Sequence, residues 1–369
     1  MLRRLSSVAK YNTPLLQIHQ KLDAKFTEFA NYNMPLTYNN VSTKNLVINT
    51  RKNGISIFDI SHMGIIKVKS NNIEDSKILL EKIFPVNLDV LKLNRSTLTI
   101  LLNHSGYITD DLIISNLGDE YRLVVNAYNK FNIMKLLQEY NKKSNILLEN
   151  KSIIAMQGKK SQALLEDIID TNLSGMYFND NLTINNNLEI SRTGYTGEDG
   201  FEIYLDNQSG IEMYEKIIDK QNDYEIYFGG LMERDILRLE AGLCLSGVDF
   251  GSDMLIKFNS LNMNFLVGNK RRIDKNFIGG NYLEGQTYLR RVGFISDTPI
   301  KIGEDIFNSS KQIGYITSST KSFNLNKFIS MGYISNKNNE EPFVILRGKR
   351  IPLSETSLPF VPHKYFRKT

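Results

Sequence analysis

One cysteine, four histidines and no tryptophan leave this 369-residue chain without the means for several kinds of chemistry. Cys244 stands alone, so no internal disulfide forms, and a reducing compartment fits. A single Cys with the scattered His19, His62, His104 and His363 cannot build a standard zinc constellation, and no metal is expected. No stretch approaches the ~20 apolar residues that span a bilayer, which argues against a membrane protein. Lys and Arg outnumber Asp and Glu by only 45 to 40, and no basic stripe is interleaved with aromatics. A nucleic-acid partner is therefore not expected.

What is present is ordinary globular composition. Hydrophobic residues at 41% with 23% charged residues imply sizeable buried cores, and the length implies two or three domains. The opening "MLRRLSSVAKYN" holds Arg3, Arg4 and Lys10, two serines and no acid before Asp23. Residues 1–12 thus read as a short mitochondrial presequence and predict a matrix location, against the alternative of a basic terminus on a cytosolic protein.

Thr13-Pro14 reads as a helix N-cap and N1, with Leu15, His19, Leu22 and Phe26 at helical spacing. Residues 55–68 read as strand, turn, strand around "FDISHMG". Residues 73–84 form an amphipathic helix, and "STLTILLN", "DDLIIS" and "YRLVVNA" are strands. A helix over 129–142 puts Phe131, Met134, Leu137 and Tyr140 on one face. Strand 152–158 is followed by a helix in "SQALLEDII" and another near 210–219. The helix in 230–243 aligns Met232, Ile236, Leu239 and Leu243, with Gly242 near its end. Beyond about residue 285, short strands at ten-residue intervals predict a small antiparallel barrel or sandwich.

"RTGYTGEDGFEIY", residues 192–204, spaces three glycines three apart and carries Glu198, Asp199 and Glu202. A phosphate loop would need Lys-Ser/Thr and a helix after the last glycine, and here a strand follows. A calcium loop would need a fuller set of alternating oxygens. Two readings stay open: a hairpin whose acids face water, or a tight connection offering a carboxylate to a ligand edge rich in N–H donors, such as a pterin.

The stretch closely resembles the signature turn of the aminomethyltransferases of the glycine cleavage system, the T-proteins. "TPLLQIHQKL", "MPLTY", "FDISHMG", "DDLIIS", "VVNA", "QG", "RDILRLEAGLCL" and "PFVPHKY" follow in that family's order and at similar distances, covering Thr13 to Tyr365. The resemblance implies an α+β fold of three domains in a cloverleaf. Two interleaved α+β domains over 13–275 would surround a central folate channel, and a C-terminal β-barrel would occupy 276–369. It also implies transfer of a one-carbon unit from the aminomethyl-lipoyl arm of the H-protein to tetrahydrofolate, with release of ammonia and no flavin. The P- and L-proteins would be functional associates.

Asp111 matches the family's catalytic aspartate, which stabilises a cationic one-carbon centre and orients the attacking folate nitrogen. Asp110 is expected to be a solvated turn residue. Glu202 matches the carboxylate that grips the pterin edge, and Tyr195, Arg234 and Tyr365 match folate-site residues. Asn126 is expected to line the same channel. Glu198 and Asp199 are expected in the turn alone. Arg238 is read either as a second folate arginine or as a solvated residue paired with Asp235 and Glu240. Asp59 and His62 are expected to fix a turn through a shared hydrogen bond, and Cys244 to be a buried small residue.

The chain departs from the family pattern at Asn31-Tyr32, where Gly-Trp is usual, and at Lys159, a usual proline. It departs again at Ile256-Lys257-Phe258, Lys301, Ser319 and Phe323. Lys301 in place of arginine removes a bidentate fork. A folate-binding accessory factor of iron–sulfur cluster assembly would carry a cysteine in a "KGCYxGQ"-like element, and "RTGYTGEDG" has none. A dehydrogenase of the sarcosine or dimethylglycine type would need a GxGxxG flavin domain, which no N-terminal strand introduces. A relative that kept the fold and lost the chemistry is the remaining alternative.

Overall fold

The computed structural model describes residues 10–185, 187–283, 287–309, 311–338 and 340–368. Among them, the strands make four sheets. The central one runs Asn181–Ile184, Leu188–Ser191, Gly200–Leu205, Ser152–Gln157, Ile55–Asp59, Ile226–Gly229. All its neighbours are antiparallel except the last pair. Three of its four inner strands, Gly200–Leu205, Ser152–Gln157 and Ile55–Asp59, are buried at every position, because helices and a second sheet cover both faces. On one face Ile57, Ile154, Met156 and Phe201 meet Leu164 and Tyr214 of the helices Ser161–Ile169 and Asn207–Asp219. On the other, Phe58, Ile153, Ala155 and Tyr204 meet Leu46 of Thr43–Arg51 and Ile236 of Leu231–Glu240.

The chain leaves this sheet after Asp59 and returns at Ser152. Between them it builds an antiparallel sheet ordered Arg95–Leu102, Ile108–Asn116, Glu120–Val125, Gly64–Lys69, Asn145–Glu149. The helices Ile73–Ile83 and Lys130–Tyr140 close one face of it through Leu79, Leu80, Ile133 and Leu137. After a long irregular stretch, a seven-stranded antiparallel sheet curls into a half-barrel over Val292, Phe294, Ile306, Ile316 and Val344. Its Met331 and Tyr333 join Ile100, Leu102, Phe250 and Phe258 in a shared core, which fixes the barrel to the inserted sheet. The α+β class with a C-terminal antiparallel barrel is the one read from the sequence.

Several local expectations are corrected. The first helix spans only Leu16–Lys21, and Phe26 lies on the strand Ala24–Phe29. Residues 1–9 of the expected presequence lie outside the described residues, while Tyr11 and Asn12 pair in parallel with Tyr32 and Asn33. On Lys130–Tyr140 the core face is carried by Ile133 and Leu137, and Phe131 is exposed. Met232 is exposed as well, so the buried stripe of the late helix starts one turn further on, at Ile236.

Candidate active site

The glycine-rich connection is built to be tight. Gly197 holds a φ of +79°, which a residue with a Cβ adopts at a cost. A Cβ at Gly194 would come within 1.9 Å of Gln157 Oε1, so glycine is required there for lack of space. Gln157 in turn accepts from Thr196 Oγ1 at 2.8 Å and donates to the Thr193 carbonyl at 3.0 Å, tying the turn to the central strand.

The acids of this turn do not face water. Asp199 accepts from Arg192 Nε at 3.0 Å. Glu198 is buried and accepts from Arg51 Nη1 at 3.1 Å and from Lys364 Nζ at 3.3 Å. Glu198 therefore holds the turn to the helix Thr43–Arg51 and to the C-terminal segment. Burial raises its carboxyl, and Arg51 and Lys364 oppose that rise.

Glu202 has a different setting. It sits on Gly200–Leu205 and is buried, and its Oε2 accepts from Tyr204 at 2.8 Å. Arg234 lies in its field: burial pushes the guanidinium down and the Glu202 charge pushes back. Arg234 spans no ion pair within 4 Å among the described residues, and its buried Nη1 has no hydrogen-bond partner. The guanidinium instead lies 4.9 Å from the Tyr195 ring centroid, in the geometry of a cation–π contact. Tyr195 donates its hydroxyl to the Cys244 carbonyl. Burial raises that phenol, and the nearby Asp111 adds to the rise while Arg238 and Arg234 oppose it.

Asp111 lies on Ile108–Asn116, opposite Ile100. Asn126 Nδ2 is 2.9 Å from Asp111 Oδ1 and 2.8 Å from Asp110 Oδ1, so one amide holds both carboxylates. Burial, and then the charge of Asp110, push the Asp111 carboxyl up to about 7. Asp110 was expected in solvent and is instead fully buried, with Ser246 Oγ donating to it at 2.5 Å. The reason is a β-bulge: Leu101 pairs with Asp110 but Leu102 pairs with Ile108, which leaves Thr109 as the extra residue. Such a bulge re-aims side chains, and here two consecutive residues reach one amide.

Five of the six expected site residues thus converge: Asp111 and Asn126 bond directly, Tyr195 and Arg234 stack, and Glu202 faces Arg234. Tyr365 makes no hydrogen bond or ring contact with those five among the described residues. It stacks on Phe178 with centroids 4.1 Å apart, and the next residue back, Lys364, donates its N–H to the Gly197 carbonyl at 2.7 Å. Tyr365 therefore stands on the Glu198 side of the turn.

Other expectations change. Arg238 is neither solvated nor free for a ligand. It is buried; it keeps the expected pair with Asp235 Oδ1 at 2.8 Å and also donates to Asp249 Oδ2 and to Ser318 Oγ, each at 2.8 Å, pinning its helix to the barrel. Glu240 serves Arg51, Ser322 and Asn324 instead. Asp59 bonds His19 at 2.9 Å, not His62. His62 packs edge-on to Phe29 with its Nδ1 unpartnered, and burial lowers it to about 4. Cys244 is buried and its thiol is pushed up to about 11 by that burial. Among the described residues no group of three or more His, Cys, Asp or Glu side chains could hold a metal ion, and no helix is long and apolar enough to cross a membrane. Asp110 and Arg51 were missed by sequence reasoning. Nothing local in "TDDLII" marks the bulge, and Arg51 sits in an unremarkable helix about 150 residues from its partners in the turn.

Known proteins carry the same arrangement of chain. Residues 15–270 match the GCVT N-terminal domain family and residues 290–362 match the glycine cleavage T-protein C-terminal barrel domain. The mitochondrial aminomethyltransferase of Flaveria anomala is 32% identical over 96% of this chain and 90% of that protein. The aminomethyltransferase of Thermosipho melanesiensis is 35% identical over 94% of this chain and 96% of its own length. The crystal structure of glycine cleavage system aminomethyltransferase T from Bartonella henselae superposes with a TM-score of 0.90 at 32% identity, covering 98% of this chain and all of that one. With both domains matched in order and the whole fold superposed, the chain belongs to the glycine cleavage T-protein family.

Proposed function

We propose that this protein is the aminomethyltransferase of a glycine cleavage system. It takes the aminomethyl group from the lipoyl arm of an H-protein and passes the one-carbon unit to tetrahydrofolate. Ammonia is released, 5,10-methylenetetrahydrofolate forms, and the carrier is left as a dithiol. The observation that carries this reading is the pair of buried groups Glu202 and the partly unpartnered Arg234, with Tyr195 in the field of both Arg234 and Asp111. A carboxylate and a guanidinium in one another's field match a pterin, whose ring N–H and amine face an acceptor while its carbonyl faces a donor.

The reaction balances without an outside reagent. The C–N and C–S bonds of the aminomethyl thioether break and two bonds to folate nitrogens form. The hydrogens of those two nitrogens leave on ammonia and on the thiol. The carbon is cationic on the way, and an ionised Asp111 beside it stabilises that charge in a site that excludes water. Asn126 fixes the carboxylate's orientation, which is the positioning that a two-nucleophile transfer needs.

P- and L-proteins would supply and reoxidise the carrier. The matrix location rests on the composition of residues 1–12, and the relatives include plant mitochondrial and bacterial proteins at similar identity. The test is ammonia release from aminomethyl-loaded H-protein. The proposal requires that release depend on both the loaded carrier and tetrahydrofolate, with one methylenetetrahydrofolate formed per ammonia. A protein that binds folate and releases no ammonia overturns it.

A further inference from the structure

We propose that Asp110 is a positioning residue of this reaction: it shares one asparagine amide and one proton with Asp111, and so sets the charge of the carboxylate that faces the substrate. The inference rests on the function proposed above, but its physical content can be tested apart from it.

The geometry comes first. Both Oδ1 atoms lie within 2.9 Å of the same Asn126 Nδ2, so the two carboxyl groups are near neighbours in a buried site. Asp110 Oδ1 also takes the Ser246 hydroxyl at 2.5 Å, and the bulge at Thr109 is held by its own hydroxyl on the Leu101 carbonyl at 3.1 Å. Asp110 is 0% exposed and its Oδ2 has no hydrogen-bond partner. An unpaired buried charge costs far more than an unpaired buried hydroxyl. A proton on Oδ2 removes that charge, while Oδ1 keeps both of its donors. With that proton in place Asp111 meets no like charge, and without it the Asp110 charge opposes ionisation of Asp111.

The surroundings support one proton for the pair. No lysine or arginine bonds either carboxylate among the described residues. From the segment after Glu120–Val125 they meet Asn126 and, for Asp110, Asn129. From the stretch after the late helix come Ser246 and the Cys244 thiol, and from the glycine turn comes the Tyr195 phenol. Arg234, Arg238 and Asp249 act on those groups one layer further out. Burial raises Asp110 and Asp111 alike, and each carboxyl titrates in the presence of the other. Asp110 thus does for Asp111 what a neighbouring acid does in a carboxyl dyad: its charge raises the partner's midpoint, and a proton on it relieves that rise.

The experiment is a carboxyl titration of the full chain labelled with 13C at the aspartate side-chain carboxyl, with Asp111→Asn assigning the signal. In Asp110→Asn, the Asp111 midpoint should fall by roughly one unit or more, because the like charge is gone. In Ser246→Ala, which leaves both acids in place, Asp110 loses a donor to its ionised form and binds its proton more firmly. The Asp111 midpoint should then move the same way by a smaller amount. An Asp111 midpoint that stays in place in both variants overturns the proposal. The acid limb of kcat/KM for methylene transfer should follow the same shifts, and a limb that ignores them also overturns it. Should the wild type release no ammonia at all, the proposed function falls, while the titration still decides whether the two acids form a pair.

Discussion

Arg51 and Glu198 meet at 3.1 Å with neither side chain more than a few per cent exposed, although 147 residues separate them. The same guanidinium reaches Glu240 Oε2 at 3.2 Å and the Leu237 carbonyl at 2.9 Å. One arginine therefore fastens the glycine turn to the helix that presents Arg234. Replacing it by methionine keeps much of the stem and strands two buried carboxylates. Arg51→Met should cost ~3–5 kcal/mol, read as a fall in the urea midpoint. Retention of wild-type stability would mean that the cluster is solvated in solution.

Asp111→Asn should act on rate and stability in opposite directions. Loss of the charge that faces the cationic carbon should lower kcat by ~100-fold or more. Folate affinity should change little, since the proposed contact with the pterin edge is Glu202. Because burial and Asp110 raise the Asp111 carboxyl to about 7, the folded state binds more protons than the unfolded state between about pH 4 and 7. Stability therefore falls as pH rises through that window. The neutral amide escapes this loss, so the variant should unfold at a higher temperature than wild type at pH 8, by an amount worth ~1–3 kcal/mol. Equal rates would remove Asp111 from the mechanism.

Wild-type activity should fall on acidification. The working form of Asp111 is the carboxylate, and protonation removes it as pH drops through about 7. A kcat/KM profile flat from pH 8 to pH 5.5 would contradict this.

Glu202→Ala should weaken folate binding by roughly 10- to 100-fold, the value of a charged acceptor to two N–H groups, with kcat at saturating folate kept within a few-fold. Calorimetry reads the first and initial rates the second. A variant that binds as tightly as wild type would place the pterin edge elsewhere.

His62 makes the fold acid-sensitive. Burial holds it at about 4, so between that value and its ordinary range the unfolded chain takes up the proton and the folded one does not. Stability rises with pH across this window. The contribution lost from pH 7 to pH 5 is about 2 kcal/mol, and His62→Leu should flatten that part of the stability–pH curve. An unchanged slope would show that other groups dominate.

The long helices and the barrel strands could be read from periodicity, because each carries enough repeats to average out single exceptions. What failed was local. Phe26 fits helical spacing from Leu15 but lies on a strand, since about three turns of pattern do not outweigh pairing at a sheet edge. The candidate site divided along the same line. Glu202 was singled out by the resemblance of its turn to a family signature, and its burial agrees with a site role, yet that turn gave no sign that Glu198 and Asp199 close on arginines. The burial of Asp110 depends on a one-residue offset between two strands, which adjacent residues in a sequence do not record. His19, not His62, holds Asp59, because the partner comes from an element 40 residues upstream.

The carboxyl pair belongs to a sheet threaded into the gap between Ile55–Asp59 and Ser152–Gln157, whereas Glu202 and Arg234 are synthesised only after the chain has come back. A ribosome halted before residue 200 has already made both aspartates, Asn126 and Tyr195, and neither Glu202 nor Arg234. On the function proposed above, a product truncated there has no grip on folate, and the ligand stabilises only molecules that carry both Glu202 and Arg234.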